Sequence, residues 1–207
     1  MLLDDEERER LLRLPTGNVA DCAPVGCVMD VGVKPVDSNF KVIGRAFTVR
    51  CRPGDNLALH QGLNAAHPGD VVVFACDGYV GGGHFGDMMA RACMARGLAG
   101  VVIDGSCRDA NDIRELGFPV FSRGQNPAGT TKATDALLGV PIVAGGVSVH
   151  PGDIVFGDCD GVVVVPQEGE DEVFDRACAK FEHECWLAEQ IAAGASTLEL
   201  YGFPAAE

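Results

Sequence analysis

The sequence is short of paired cysteines, of long apolar runs and of positive charge. Nine cysteines are scattered from Cys22 to Cys185, and none forms a CxxC pair. The paired-ligand spacing of a structural zinc site is therefore missing. Most of these cysteines sit among Val, Ala and Ile, where a thiol behaves as a small apolar group. The expectation is reduced, buried thiols in a reducing compartment rather than a disulfide framework. No apolar run reaches the roughly 18 residues of a membrane span. The N-terminus passes from Met-Leu-Leu straight into an acidic stretch, without the basic start and apolar block of a secretory signal. A cytoplasmic protein with no membrane partner is expected. Only 16 Lys and Arg stand against 30 Asp and Glu, a net charge of −14. A nucleic-acid partner is disfavoured, because such binding needs a basic face. An anionic substrate is not excluded, because a metal ion or an Arg reverses the field locally.

What is present is a globular α/β pattern. A chain of 207 residues suits one domain with a real core. Residues 4–14 read as a helix, and Thr16 or Asn18 could cap a second short one running to Asp21. Residues 24–43 read as irregular. Strands are expected at 44–51, 71–76, 100–104, 118–124, 140–149 and 153–166, and helices at 56–66, 88–97, 110–116 and 168–192. The run VVVFAC (71–76) is β-branched throughout, which implies cover on both faces. HPGDVVVFACDG (67–78) is echoed by HPGDIVFGDCDG (150–161). Both read as Pro-Gly-Asp turns feeding buried strands, with His67 and His150 in structural roles. His60 and His183 read as helix-surface residues.

Two loops could carry chemistry. Gly81, Gly83 and Gly86 satisfy GxGxxG between a strand and a helix, and Asp104 ends the next strand near the place of a ribose-binding acid. That pattern permits a nicotinamide-dependent enzyme. Against it, four residues intervene between strand and glycines, and seventy residues precede them. A helix start after such glycines also exposes free N–H groups, so the amides of Met88 and Met89 could hold an anion; the glycines could equally form only a flexible turn. The second loop, GSCRDANDI, follows the second buried strand. Ligands in open α/β sheets bind beyond the carboxyl ends of strands, which would gather Asp87, Arg108 and Asp109. Two carboxylates suit Mg²⁺ or Mn²⁺, and an Arg suits a carboxylate or an enolate oxygen. The alternative is an Arg–Asp surface pair capping the helix at 110–116. The chain has only Lys34, Lys41, Lys132 and Lys180. None lies in the two loops, which disfavours a Schiff-base mechanism. His84, two residues before Gly86, either contacts substrate or shapes its loop.

GRAFTV, AHPGDVVVFACDG, GDMMARACMARGLAGVVIDGSCRDANDI, PVFSRG and GGVSVHPGDIVFGDCDGVVVVP together resemble the group containing 4-hydroxy-4-methyl-2-oxoglutarate aldolases and the RraA-type regulators of ribonuclease E. The resemblance covers a core of about 16–166 and leaves a C-terminal helical arm at about 168–207. It implies a layered α/β/β/α sandwich of the swivelling-domain type. In the aldolase branch an Asp is followed after twenty residues by Arg-Asp, and Asp87 and Arg108–Asp109 keep that spacing. The regulator branch tends to lose the second Asp. By resemblance, Asp109 would hold a divalent metal, and Asp87 would act through water next to it. Arg108 would bind the keto oxygen and stabilise an enolate, with Gly86 at the substrate and the amides of Met88 and Met89 on its carboxylate. A Glu from a neighbouring subunit's C-terminal helix would complete the site; Glu184 fits better than Glu182. The implied activity is retro-aldol cleavage of a 4-hydroxy-2-oxo acid to pyruvate, with oxaloacetate decarboxylation as a side activity, in a homotrimer or homohexamer. The non-catalytic regulator is the alternative.

Overall fold

A computed structural model describes residues 4–204. Among them no helix is long and apolar enough to cross a membrane. The centre is a ribbon of four parallel strands: β2 (Val42–Arg50), β3 (Asp70–Ala75), β5 (Gly100–Cys107) and β6 (Val120–Gln125), adjacent in the order β6-β5-β3-β2. At one end β1 (Lys34–Pro35) pairs antiparallel with β6. At the other, β10 (Ile154–Asp158) runs antiparallel to β2 and turns into β11 (Gly161–Val165). The short β4 (Gly83–Phe85) pairs parallel with the end of β5, and β7 (Leu137–Leu138) pairs antiparallel with β2. A separate hairpin joins β8 (Ile142–Ala144) to β9 (Val147–Val149).

The period of two along each strand sorts the apolar side chains into layers. Val72, Phe74, Val101 and Ile103 face α3 (Leu57–Ala65), α4 (Asp87–Ala95) and α5 (Ala110–Leu116). Their neighbours Val71, Val73 and Val102 turn to the other side, against Ile142 and Val149 of the hairpin and against Val155, Val162 and Val164. The outward faces of β10 and β11 carry Ile154, Phe156, Val163 and Val165. These are covered by α1 (Asp5–Leu11), α2 (Thr16–Cys22) and α6 (Glu170–Ala192). The result is helix, sheet, sheet, helix, as the resemblance implied.

Several boundaries differ from the sequence reading. β5 runs on through Cys107, so 105–107, expected in a loop, are strand; the glycine loop contains β4; and α7 (Thr197–Tyr201) interrupts the C-terminal tail. Thr16 and Asn18 do not cap α2, whose N-cap is Pro15. Thr16 instead donates from its amide and hydroxyl to Asp158, and Asn18 donates to Glu184 on α6. A polar side chain at a helix start has been drawn into tertiary bonds. The Arg45–Glu170 pair fastens the start of α6 to β2.

The two HPGD turns are structurally equivalent. Asp70 accepts from the His67 amide at 2.8 Å and Asp153 from the His150 amide at 2.7 Å, with Gly69 and Gly152 at positive φ. They feed β3 and β10 on opposite flanks of β2. Asp153 is buried and also accepts from the Gln167 amide. Asp153→Ala should therefore destabilise the fold by about 1–3 kcal/mol, the cost of buried donors left without a partner. Urea unfolding measures it, and an unchanged midpoint would show that the turn does not depend on this carboxylate.

Candidate active site

The site forms where the parallel strands end. β4 lies beside the last residues of β5, with Gly83 opposite Ser106 and Phe85 opposite Cys107. The Arg108 amide then donates to the Phe85 carbonyl at 2.8 Å. This contact brings the start of α4 against the start of α5, and with them Asp87 against Asp109. The Asp87 amide lies 3.4 Å from Asp109 Oδ2, and Arg108 Nε is 3.4 Å from the same oxygen. Asp87 also pairs with Arg91 one helical turn on.

Asp109 has an unusual backbone. It is the N-cap of α5, yet it sits in the left-handed region (φ 57°, ψ 39°) and makes no side-chain capping bond. Asp tolerates this region better than most residues, but at an energetic cost. The conformation turns the carboxylate back toward α4 instead of leaving it over its own helix. The surface cap considered from sequence is thus not what forms. Gly86 leaves room for it, since a Cβ there would collide with Asp109 Oδ2; at Gly83 a Cβ would lie 2.8 Å from Arg108 Cβ. Close approach to Asp109 at Gly86, and to the Asn126 carbonyl and Arg108 at Gly83, is the physical reason for these two glycines.

A dinucleotide loop is not built from them. Gly83 lies in a strand, and Asp104 is buried and bound to Arg123 Nε at 2.5 Å. Of the amides at the start of α4, that of Met89 leans on the Gly86 carbonyl at 3.1 Å. The Met88 amide has no hydrogen bond among the described residues, so Met88 offers the better anion donor of the two.

These groups line a cavity of about 210 Å³. Gly86, Asp87, Met88, Met89, Arg108 and Asp109, singled out from sequence, all border it. Glu184 does not: it lies on α6, bonded to Asn18 and Lys180 of its own chain. Glu182 is exposed on the same helix. Five lining residues were missed in the sequence: Asn56, His60, Gly129, Thr130 and Lys132. Lys132 arrives on the segment 126–136, more than twenty residues after the Arg-Asp pair, so its distance along the chain did not keep it out of the pocket. His60, expected on a helix surface, is exposed there and also borders the cavity. Partial burial, with Lys132 as a second contribution, lowers its pKa.

His84 is wholly buried between Phe74 and Tyr79, with Nδ1 at 3.3 Å from the Ser106 carbonyl. Burial pushes its pKa down, against the opposing pull of the Ser106 carbonyl and Asp55. His84 also borders the cavity, and its Nε2 has no hydrogen-bond partner among the described residues.

The carboxylates suit a hard cation that keeps most of its water. Both border the cavity, and the two contacts to Asp109 Oδ2 are long for hydrogen bonds. The oxygen is thus only loosely committed to the protein.

The Aldolase/RraA family model, described as RraA-like, matches residues 16–164. A Halalkalibacterium halodurans protein with the provisional name 4-hydroxy-4-methyl-2-oxoglutarate aldolase is 36% identical over 81% of this chain and 80% of its own length. A solved structure of an uncharacterized Pseudomonas syringae protein superposes with a TM-score of 0.81 at 29% identity, covering 91% of both chains. Streptomyces coelicolor RraAS2, described as an unusual member of the RNase ES inhibitor RraA family, superposes with a TM-score of 0.77 at 33% identity, over 92% of this chain and 98% of that one. With the family model spanning most of its length, this chain belongs to the Aldolase/RraA family.

Proposed function

We propose that this protein is a divalent-metal-dependent carbon–carbon lyase that releases pyruvate from a 4-hydroxy-2-oxo acid of the 4-hydroxy-4-methyl-2-oxoglutarate type. The observation that carries the reading is Asp109, held in a strained conformation that forgoes helix capping and turns its carboxylate toward Asp87 and Arg108. Strain of this kind gathers at functional sites. Asp109 would hold Mg²⁺ or Mn²⁺, with Asp87 beside it; the cation would supply Lewis-acid stabilisation of negative charge on the substrate's oxygens.

The chain's own residues do the remainder. The Met88 amide and the start of α4 receive the substrate carboxylate. Arg108 donates to the keto oxygen. Asp87, through one water, takes the proton from the C4 hydroxyl. The C3–C4 bond breaks, its electron pair forms the enolate of pyruvate, and C4 leaves as a carbonyl. Arg108 binds the enolate oxygen more strongly than the keto oxygen, which is the differential that accelerates the step. Protonation at C3 gives pyruvate. Oxaloacetate would pass through the same enolate with loss of CO₂.

Charge sets the substrate class. Asp87 and Asp109 balance Arg108 and Lys132 among the lining groups, so a divalent cation leaves two positive charges. A 2-oxo acid with two carboxylates neutralises them, and Lys132 is the cation left for the distal one. In the implied trimer or hexamer, a neighbour's Glu would complete the site. Glu184 would first have to give up Asn18 and Lys180, which shifts the choice toward the exposed Glu182.

A ribonuclease regulator is the rival reading, supported by the likeness to RraAS2. Pyruvate release from 4-hydroxy-4-methyl-2-oxoglutarate and from oxaloacetate, with Mg²⁺ and with EDTA, separates them. The lyase gives metal-dependent pyruvate from at least one; none from either, in folded and metal-loaded protein, removes this substrate assignment and leaves a different 2-oxo acid substrate or the regulator. Arg108→Ala should lower kcat by about 10²–10³, the effect of losing an oxyanion donor. Gly86→Ala should displace Asp109 and weaken Mg²⁺-dependent thermal stabilisation by oxalate, an enolate mimic. Because Lys132 reaches the cavity, Schiff-base chemistry is tested directly. Borohydride added during turnover should leave the protein mass unchanged, whereas a trapped adduct on Lys132 would replace the metal mechanism.

A further inference from the structure

The segment that brings Lys132 to the cavity has little to hold it there. Residues 126–136 read NPAGTTKATDA, with no aliphatic side chain larger than Ala except the exposed Pro127, and most are exposed. Their sequence cannot anchor them by apolar burial, so polar bonds must.

Those bonds converge on one carboxylate. Asp55, at the entry to α3, is 1% exposed. Its Oδ1 accepts from the Leu57 amide at 3.0 Å and from the Cys51 thiol. Its Oδ2 accepts from the Thr131 hydroxyl at 2.6 Å and the Ala133 amide at 2.7 Å. The backbone adds Thr131 N to the Gly54 carbonyl at 2.9 Å and Asn56 N to the Thr131 carbonyl at 3.0 Å. Residues 131 and 133 thus turn toward Asp55, while 130 and 132 line the cavity. The alternation is that of an extended chain. The next residue, Asn56, donates to the His84 carbonyl at 2.8 Å and borders the same cavity. One short stretch therefore fixes both this segment and part of the cavity wall.

Resting on the lyase reading, we propose that Asp55 is a positioning residue: it clamps the segment 126–136 across the cavity and thereby sets Lys132 for the distal carboxylate of the substrate. Burial would raise the Asp55 pKa, but the donors from Thr131, Ala133, Leu57 and Thr134 outweigh it and bring it down to about 2. The clamp therefore stays ionised at any pH where the lyase would work.

The test is a double-mutant cycle with a structural readout. In Asp55→Asn an amide NH₂ faces one of the two donor sets, so the segment loosens. KM for 4-hydroxy-4-methyl-2-oxoglutarate should rise about tenfold with kcat nearly unchanged, the size expected for losing one hydrogen bond to a charged group. Lys132→Ala should do the same, and the double variant should be no worse than Lys132→Ala alone, because the two changes remove one interaction. Mg²⁺–oxalate binding, which needs no distal cation, should survive in all three. Hydrogen exchange should accelerate at amides 128–134 in Asp55→Asn and not in β3 or β5. Thr131→Val, which removes only the hydroxyl, should shift KM the same way by less, and it carries the test if Asp55→Asn fails to fold. Independent, multiplying losses in the double variant, or unchanged exchange at 128–134, would overturn the clamp. An inactive wild type with normal Mg²⁺–oxalate binding and the expected exchange pattern would instead remove the substrate assignment and leave the clamp standing.

Discussion

One backbone hydrogen bond, from the Arg108 amide to the Phe85 carbonyl, fixes the relation between the two halves of the site. It continues the parallel pairing of β4 with β5 to the last residue before each strand gives way to a helix. Two helix starts are thereby set side by side, and residues 22 positions apart meet within hydrogen-bonding reach. The weld needs support beneath it. The Ser106 hydroxyl donates to the carbonyls of Val80 and Gly82, tying the incoming loop to β5. A side chain at Gly105 would run into Cys76 and the Tyr79 backbone. Small residues here let two stretches of backbone lie close enough for the weld to form.

The layers and the central acids were legible because each has a local signal. A β-branched run such as Val71–Val73 announces a strand buried on both faces, and a glycine-rich loop ahead of a helix announces an exposed N-terminus. Asp87 and Arg108–Asp109 could be paired because both loops end parallel neighbours. The rest has no local signal. β4 is three residues with two glycine-rich flanks, and only its partner β5 makes it a strand. Lys132 sits in a stretch that reads as a featureless loop; its role follows from Asp55, some 77 residues earlier, which no periodicity connects to it. His60 does lie on the surface, but helical periodicity tells which residues share a face, not that this face borders the cavity. Asp109's left-handed backbone was equally invisible, since many Asp residues before a helix simply cap it.

The cysteines follow the same logic of burial. All nine are free, and six are buried. Cys76 and Cys93 lie deep enough that burial pushes each thiol up to about 12. Such thiols are protonated and unreactive, and serve as small apolar fillers between strand and helix. The candidate chemistry therefore rests on oxygen and nitrogen groups at the strand ends.

The strand path also determines how further copies could attach. Its two ends, β1 and β11, come together, with the Lys34 ammonium reaching the Asp160 carbonyl. β1 is only two residues long and contains a proline, and the chain at 27–29 runs along β11, taking and giving backbone bonds at Val162 and Val164. An open edge is what lets sheets grow from one molecule into the next. Here both ends of the long ladder are covered by the protein's own chain, so among the described residues this sheet offers no continuous edge for a second copy to extend.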